Sequence, residues 1–355
     1  MTFHGRLLVL GLSHRTARVE LREKASLAEG AARALLRTLR GDPAIAESAV
    51  LPTCNRTELV AVVSDPGRGV AALSQALVDH SGITARELAR ASYVHADEPA
   101  ARHLFRVAAS LDSMVVGESE IQGQVQAARE LARQEGTLGA LLDQVFAQAL
   151  HAGRRARAKT RLGVGAVSVS SVAVDLARAA LGDLHDRRAL LVGAGRAAEA
   201  TARALLGHGL REVVVANRSP DTAGRLAARF GGRAVSLDRL GDELRVADVV
   251  ISSTDARGTI IDRRAMEPRM REPLVLIDIA VPRDVDPRVG ELAGVCLHNI
   301  DDLQRVVAAN LNGRRHEAAR AEAIVDREVE RFGERHRRPA TAWRLGLPAT
   351  APAGS

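Results

Sequence analysis

Short apolar runs and helical spacings alternate along the first part of the chain. Apolar runs between polar turns predict strands, whereas apolar positions three and four residues apart predict helices. The run 7–12 predicts a first strand, and the runs 49–51 and 59–63 predict two strands joined by a tight loop. Helical spacing is expected over 20–26, 29–39, 69–80 and most of 98–159. This part therefore predicts an α+β layer with a helical lobe.

A second series of buried runs begins at residues 189–192 and continues at 213–216, 247–252 and 274–279. Helical segments separate these runs, which is the pattern of a parallel, Rossmann-type sheet. A linking helix is expected to lead into this unit from residues 166–181. Cys296 lies in a last short apolar run, and we expect it in the core.

Beyond residue 300 the pattern stays helical for roughly 35 residues, with Asp301 or Asp302 as the N-cap. Such a helix spans about 50 Å, so it either braces two domains or pairs with another copy of the chain. Residues 337–355 are rich in Pro, Ala and Gly, which is typical of a disordered tail. The expected units are 1–160, 161–301, the long helix 302–335 and the tail 336–355.

Composition narrows the class of protein. Of 355 residues, 46% are hydrophobic but only 2% are aromatic, so the cores must be built from Ala, Val and Leu. No run of about 18 apolar residues and no signal-peptide pattern is present, which predicts a soluble cytoplasmic protein without a membrane partner. The two cysteines lie about 240 residues apart and neither has metal-ligand spacing, so neither a disulfide framework nor a metal site is expected.

The net charge of +7 is compatible with a polyanionic partner. Nearly all of the basic residues are arginines, however, since Lys24 and Lys159 are the only lysines, and this weakens the charge as a sign of nucleic-acid binding. A basic stretch at 154–161 either contacts phosphates or forms a solvated helix face.

The tight loop holds Cys54 at a strand end, between Thr53 and Asn55, where a substrate can reach it. A cysteine acts as a nucleophile only as the thiolate, so it needs a nearby cation or base. Arg56 is the nearest cation in the sequence, and His103 is a candidate base. The alternatives are that Cys54 is a small apolar filler and that His103 is an ordinary core or surface histidine.

Polar residues interrupt the helical pattern between 112 and 124, where they form either a binding surface or a solvated face.

A second motif, Gly193-Ala194-Gly195-Arg196-Ala197-Ala198, follows an apolar strand and fits the glycine-rich dinucleotide turn. Its glycines allow a tight turn and close approach of a pyrophosphate, and Ala198 allows helix and strand to pack. The next strand ends in Asn217-Arg218-Ser219 rather than in an acidic residue, which favours NADP over NAD.

From residue 5 to about 330, the chain resembles the glutamyl-tRNA reductase family. The resemblance is carried by 11–16 (GLSHRT), 53–58 (TCNRTE), 103–107 (HLFRV), 111–114 (LDSM), Gly117-Glu118, Gly123-Gln124, 193–195 (GAG), 216–218 (ANR) and 278–284 (DIAVPRD). It implies an α/β multidomain protein: an N-terminal α+β catalytic domain with a helical lobe, a Rossmann-type NADP-binding domain and a long spinal, or dimerisation, helix. It also implies a V-shaped homodimer, with a weaker dimer here because the C-terminal helices are shortened relative to the family.

The resemblance further implies NADPH-dependent reduction of glutamyl-tRNA(Glu) to glutamate-1-semialdehyde through a cysteine thioester, the first committed step of tetrapyrrole synthesis. Glutamate-1-semialdehyde aminomutase is the implied partner. Cys54 matches the nucleophile and His103 a histidine important for activity, and we expect Arg56 to grip a carboxylate of glutamate. The implied substrate-binding residues are Thr53, Asn55, Arg56, Ser113, Glu118, Ser119, Glu120 and Gln124. The implied cofactor-binding residues are Gly193, Ala194, Gly195, Arg196, Ala197, Ala198, Asn217, Arg218 and Ser219.

Two other classes of protein remain open on the sequence. Another NADP-dependent dehydrogenase, of the shikimate dehydrogenase type, would explain residues 183–300 but would have no use for Cys54. A non-catalytic, tRNA-binding regulatory protein would need neither the thiol nor the dinucleotide turn.

Overall fold

Two β-sheets organise the computed structural model, one in each half of the chain. The residues that the structure describes are 5–114, 116–118, 120–162, 169–254, 256, 258–266, 273–303 and 315–335. In these ranges no helix is both long enough and apolar enough to cross a bilayer.

The first sheet is antiparallel, with strand order β2-β3-β1-β4. Its strands are β1 (Arg6–Ser13), β2 (Ile45–Pro52), β3 (Arg56–Val63) and β4 (Tyr93–Ala96). The predicted strand, loop and strand around Cys54 is confirmed as β2 and β3, whereas β4 was not predicted. In the described part of residues 5–162, the helices around this sheet are α1 (Val19–Ala25), α2 (Glu29–Arg40), α3 (Pro66–His80), α4 (Ala85–Ala91), α5 (Glu98–Ala108), α6 (Glu120–Gln134) and α7 (Ala140–Lys159).

Both faces of the antiparallel sheet are buried. Successive side chains of a strand point to opposite faces, so Leu8 and Leu10 pack into one cluster with α2 and α3, while Leu7 and Val9 pack into another with α5, α6 and α7. All eight residues of β3 are buried for this reason. The cysteine loop, between β2 and β3, therefore projects from the end of a rigid, doubly covered layer.

The second sheet is parallel, with strand order β10-β9-β8-β5-β6-β7, which confirms the predicted Rossmann-type unit. Its strands are β5 (Arg188–Val192), β6 (Glu212–Ala216), β7 (Arg233–Val235), β8 (Val249–Ser252), β9 (Leu274–Asp278) and β10 (Val295–Asn299). Its helices are α8 (Val169–Leu181), α9 (Arg196–Leu206), α10 (Pro220–Ala228) and α11 (Leu240–Leu244), with 3₁₀ turns at Leu237–Arg239 and Pro287–Glu291.

Cys296 does not lie in the core, so that prediction is wrong. Its side chain is exposed, because β10 is an edge strand whose residues are at most partly covered. An apolar run in the sequence does not reveal whether its strand will be central or at an edge.

The C-terminal helix α12 (Arg315–Arg335) packs onto the first unit. Its residues Ala321, Ile324, Val325 and Val329 belong to the same hydrophobic cluster as α5 and α7. Leu303, at the start of the predicted long helix, belongs instead to the core of the second unit. The two described parts of the stretch therefore contact different units, as expected for a brace. Residues 304–314, the linker 163–168 and the predicted tail 336–355 lie outside the described residues.

The N-cap of the stretch beginning at Ile300 is Asn299, not Asp301 or Asp302 as predicted. The Asn299 Oδ1 accepts hydrogen bonds from the backbone N–H groups of Asp301 (2.8 Å) and Asp302 (3.2 Å). In return, the Asp302 carboxylate accepts from the backbone N–H of Asn299 at 2.8 Å. This reciprocal pair forms a capping box two or three residues earlier than predicted and leaves the Asp301 carboxylate available for another contact.

Candidate active site

Thr53 fixes the conformation of the cysteine loop. Its hydroxyl accepts hydrogen bonds from the backbone N–H groups of Asn55 and Arg56, both at 3.1 Å, and its own N–H donates to the Arg56 carbonyl at 2.8 Å. From the turn after β1, the His14 N–H donates to the Asn55 carbonyl at 2.8 Å. The loop therefore presents Cys54 in a defined position between two paired strands.

Cys54 lies where the two units meet. Its half-buried side chain packs against a small cluster of Val19 and Met114 from the first unit and Ile300, which follows β10, from the second unit. Val281, which follows β9, packs against the same cluster. A group attached to its sulfur would therefore stand at the carboxyl edge of the parallel sheet, where ligands of such sheets bind.

The surroundings of Cys54 keep its thiol protonated in the free protein. Burial raises the pKa of the thiol to about 12, the carboxylates of Glu118 and Glu120 add to the rise, and the Arg22 guanidinium opposes it. The cation with the largest lowering effect on this pKa is thus Arg22 on α1, and not Arg56, which we had expected from the sequence. Nothing in the pattern of residues 20–26 distinguished Arg22 from an ordinary helix residue.

Glu118 also has a shifted pKa. Burial raises the pKa of its carboxyl to about 7; the nearby Ser113 hydroxyl opposes that rise, and the nearby Glu120 carboxylate adds to it. The Arg157 guanidinium donates to the Glu118 backbone carbonyl at 2.6 Å, which ties this segment to α7. Near neutral pH, the Glu118 carboxyl therefore exchanges its proton readily beside the thiol.

These shifts predict the reactivity of the thiols. We expect iodoacetamide to alkylate Cys54 more than about tenfold more slowly than the exposed Cys296 at pH 8, because only the thiolate reacts. Removing a negative charge beside the thiol lowers its pKa, so Glu118→Gln and Glu120→Gln should each accelerate labelling of Cys54 several-fold, about tenfold for each pKa unit lost.

Peptide mass spectrometry over a time course measures both rates in one sample. Glu130→Gln, further along α6, serves as the matched control because its carboxylate pairs with Arg133 instead. Equal labelling rates for the two cysteines of the wild type would contradict this account of the resting thiol.

A buried charged network lies behind the loop and is centred on Glu58, which is 0% exposed. The Glu58 Oε1 accepts hydrogen bonds from the Arg56 guanidinium at 2.7 Å and from the hydroxyl of Tyr93. The same oxygen pairs with the His103 Nε2 at 2.8 Å. Burial alone would raise the pKa of Glu58, but the charges of His103 and Arg56 and the bonds from His103 and Tyr93 outweigh it, so the pKa lies below its ordinary value.

Arg56 is 2% exposed and belongs to this network rather than to an open surface. Besides Glu58, its guanidinium binds the Asp112 carboxylate at 3.2 Å and the Asp112 backbone carbonyl. Asp112 is in turn paired with Arg15 at 2.9 Å. The expected grip of Arg56 on a glutamate carboxylate stays a prediction, since in this structure internal acidic groups hold the guanidinium.

The ring of His103 packs, tilted, against two rings of β4 that the sequence did not single out. Its ring centroid lies 4.8 Å from that of His95 and 5.3 Å from that of Tyr93. Burial, followed by the charge of His103, lowers the pKa of His95. Within the described part of the chain no hydrogen bond joins His103 to Cys54, so the Cys/His pairing remains a hypothesis.

Several of the other expected substrate residues lie near the loop. Asn55 uses its side-chain oxygen to accept a hydrogen bond from Arg22 at 3.0 Å. Ser113 is buried beside Glu118, while Glu118, Glu120 and Gln124 are half-buried at and before the start of α6. Ser119 lies outside the described residues. The structure thus brings Glu118 and Glu120 close enough to Cys54 to act on its thiol, and contacts of the whole set with a substrate remain predictions.

The glycine-rich turn between β5 and α9 has the shape that a dinucleotide needs. Gly193 has φ +99°, and a Cβ there would lie 2.2 Å from the Ser253 carbonyl oxygen, so only glycine fits. Gly195 is the N-cap of α9, and a Cβ built on it meets no atom within 4 Å. Phosphate oxygens can therefore approach the backbone at the helix N-terminus, as in other dinucleotide sites. The side chains of 196–198 lie outside the described residues.

At the end of β6, Arg218 and Ser219 are exposed and Asn217 is half-buried. The Ser219 hydroxyl accepts the Thr222 N–H at 3.4 Å and so caps α10. No carboxylate occupies this segment of the sequence to repel a 2′-phosphate, and the Arg218 guanidinium is open to solvent.

Known proteins are similar in sequence to this chain over nearly its whole length. The glutamyl-tRNA reductase of Syntrophotalea carbinolica is 43% identical over 347 residues, which are 97% of this chain and 76% of that protein. The enzyme of the same name from Stenotrophomonas maltophilia is 47% identical over 332 residues, or 92% of this chain and 76% of its own. The chain belongs to the glutamyl-tRNA reductase family.

Within this family, the glutamyl-tRNA reductase structure from Methanopyrus kandleri is 38% identical, with a TM-score of 0.50 over 93% of this chain and 80% of its own. Residues 10–160 match the family described as glutamyl-tRNAGlu reductase, N-terminal domain. Residues 175–306 match the shikimate/quinate 5-dehydrogenase family. The second match gives the second unit a dehydrogenase-type nucleotide-binding fold, and it does not extend to the cysteine loop.

Proposed function

We propose that this protein reduces glutamyl-tRNA(Glu) to glutamate-1-semialdehyde through a thioester on Cys54, the first committed step of tetrapyrrole synthesis. The similarity to glutamyl-tRNA reductases across 92–97% of the chain carries this proposal. The position of Cys54 between the two units supports it, because a thiol at that junction can receive an acyl group on one side and face a dinucleotide site on the other. A shikimate-type dehydrogenase would leave this thiol without a role.

The chemistry explains why both units are needed. A free carboxylate resists reduction, whereas the ester between glutamate and the tRNA is activated. The Cys54 thiolate attacks the ester carbonyl, a carbon–sulfur bond forms, and the ribose oxygen leaves as a hydroxyl after taking up a proton. A thioester has weaker resonance than an ester and accepts hydride, after which carbon–sulfur cleavage releases the aldehyde and regenerates the thiolate.

The second unit's residues fit NADPH as the reductant. The backbone of Gly193 to Ala198 at the start of α9 would hold the pyrophosphate, and Arg218 with Ser219 would bind the 2′-phosphate. Bound NADPH would supply the hydride. The protein's own part is to orient the cofactor at the edge of the sheet that Cys54 faces.

The choice of cofactor can be tested at Arg218. We expect Arg218→Ala to raise the KM for NADPH by about tenfold or more and to leave the KM for NADH nearly unchanged, because a guanidinium contact to a phosphate is lost. Steady-state kinetics with both cofactors measure the change. Arg211→Ala, at an exposed position before β6, is the matched control. A parallel rise in both KM values would instead place Arg218 outside the 2′-phosphate site.

Glutamyl-tRNA labelled in the glutamate tests the reaction itself. Without NADPH, we expect label bound to the protein in acid and a slow release of free glutamate; adding NADPH should convert the bound label to the aldehyde. Neither bound label nor hydrolysis would favour a non-catalytic tRNA-binding protein. Turnover that needs NADPH but gives no bound label would favour a dehydrogenase of another type.

The same family relationship supports further proposals about organisation. We assign the catalytic unit to residues 1–160, the nucleotide unit to 161–301 and the brace to 302–335. We further propose that the protein is a cytoplasmic homodimer. It would transfer the reactive aldehyde to glutamate-1-semialdehyde aminomutase.

A further inference from the structure

Arg22 connects the cysteine loop to the second unit through a single guanidinium. Its Nη1 donates to the Cys54 backbone carbonyl at 3.1 Å and to the Asn55 Oδ1 at 3.0 Å. Its Nη2 forms an ion pair with the Asp301 carboxylate, just beyond β10. The arginine side chain is 3% exposed, so this charge is held in one place by acceptors from both units.

The neighbouring residue on α1 makes a second contact across the same junction. The Glu23 carboxylate accepts hydrogen bonds from the Arg283 backbone N–H at 2.7 Å, from its Nε at 2.8 Å and from its Nη2 at 3.0 Å. Arg283 follows β9 and Asp301 follows β10, so both partners lie beyond the carboxyl ends of neighbouring parallel strands. Helix α1 is therefore docked on the edge of the sheet where the dinucleotide turn also lies.

We propose that Arg22 is a positioning residue that couples docking of the nucleotide unit to the placement of Cys54. This inference rests on the proposed function. While Asp301 holds one side of the guanidinium, the other side holds the backbone of the nucleophile, and the acyl group on Cys54 faces the cofactor site. When Asp301 or Arg283 is lost, the loop keeps its internal hydrogen bonds and can still take up the acyl group, but the two sites are no longer held together.

The partition of the thioester between reduction and hydrolysis is the appropriate readout. Thioester formation needs only the first unit, whereas reduction needs both units correctly placed relative to each other. A purely structural defect would lower formation and reduction by the same factor. Loss of the coupling between the two units lowers the rate of reduction alone, so a larger fraction of the thioester is hydrolysed.

The experiment compares Asp301→Ala and Arg283→Ala with the wild type, using labelled glutamyl-tRNA with and without NADPH. We expect wild-type amounts of labelled thioester in both variants, but about tenfold slower reduction and a matching rise in the hydrolysed fraction. Asp301→Glu, which keeps the carboxylate, should restore most of the reduction. Lys24→Ala is the matched control on α1, since Lys24 pairs with Glu87 within the first unit at 2.7 Å.

Arg22→Ala should lower both thioester formation and reduction, because it also releases the Cys54 carbonyl; the Asp301 variant carries the test if Arg22→Ala fails to fold. The proposed coupling would be overturned if Asp301→Ala and Arg283→Ala partitioned the thioester between reduction and hydrolysis as the wild type does. An equal loss of thioester formation and of reduction would overturn it as well. Absence of any thioester in the wild type would overturn the proposed function instead.

Discussion

Replacing Cys54 with serine is expected to abolish reduction of glutamyl-tRNA, by at least about a thousandfold. A serine hydroxyl ionises far less readily than a thiol, and any ester it formed would resist hydride as the original ester does. The glutamate label that remains bound to the wild-type protein after acid precipitation should be absent from this variant as well. NADPH oxidation that depends on glutamyl-tRNA, measured together with acid-precipitated label, checks both expectations.

The second cysteine provides the control. Cys296 is exposed on the edge strand β10, and Cys296→Ser should keep both the label and the turnover. Unchanged turnover in Cys54→Ser would remove the thiol from the reaction and would favour a dehydrogenase that uses only the second unit. Loss of turnover in both variants would point to general damage rather than to a nucleophile.

Replacing Glu58 with alanine is expected to destabilise the first unit by about 3–5 kcal/mol. The substitution leaves the Arg56 guanidinium without its shortest carboxylate contact inside the protein and removes the acceptor shared by Tyr93 and His103. Arg56 keeps its longer contact with Asp112, but a buried charge that loses its nearest partner is costly because it has lost its hydration and gained too little in return. Thermal and urea denaturation of the wild type and the variant measure the loss.

Two further variants separate charge from packing at Glu58. Glu58→Gln keeps the shape and an acceptor, so we expect a smaller loss than with alanine. The double variant Glu58→Met, Arg56→Met removes both charges and should recover part of the stability without recovering activity. A melting temperature for Glu58→Ala equal to that of the wild type would show that the network does not hold the unit together.

The sequence predicted the sheets well because their strands are continuous apolar runs. The runs at 7–12, 59–63 and 189–192 became central strands buried on both faces, and Gly193 could be placed because its turn follows a strand and precedes a helix. Strand β4 was missed because it is only four residues long and has one exposed residue, Val94, between two half-buried ones.

The charged part of the site was harder to predict because most of its contacts join residues far apart in the sequence. Arg56 was expected to serve the thiol, but it pairs with Glu58, two residues further along its own strand, and with Asp112 from the segment after α5. Arg22 reaches both Cys54 and Asp301 only because α1 lies between the two units. Hydrophobic periodicity specifies which face of an element is buried, but not which distant charge it meets.

Helix α12 packs on α5 and α7 and closes the outer side of the hydrophobic cluster that covers the Leu7 and Val9 face of the antiparallel sheet. During synthesis, the apolar surfaces of α5 and α7 that α12 covers stay exposed until the ribosome has made residues 315–335. Nascent chains that end before that point would expose this apolar surface and would be substrates for chaperones and proteases. Quality control by this route would confine the working thiol to polypeptides that carry the closing helix.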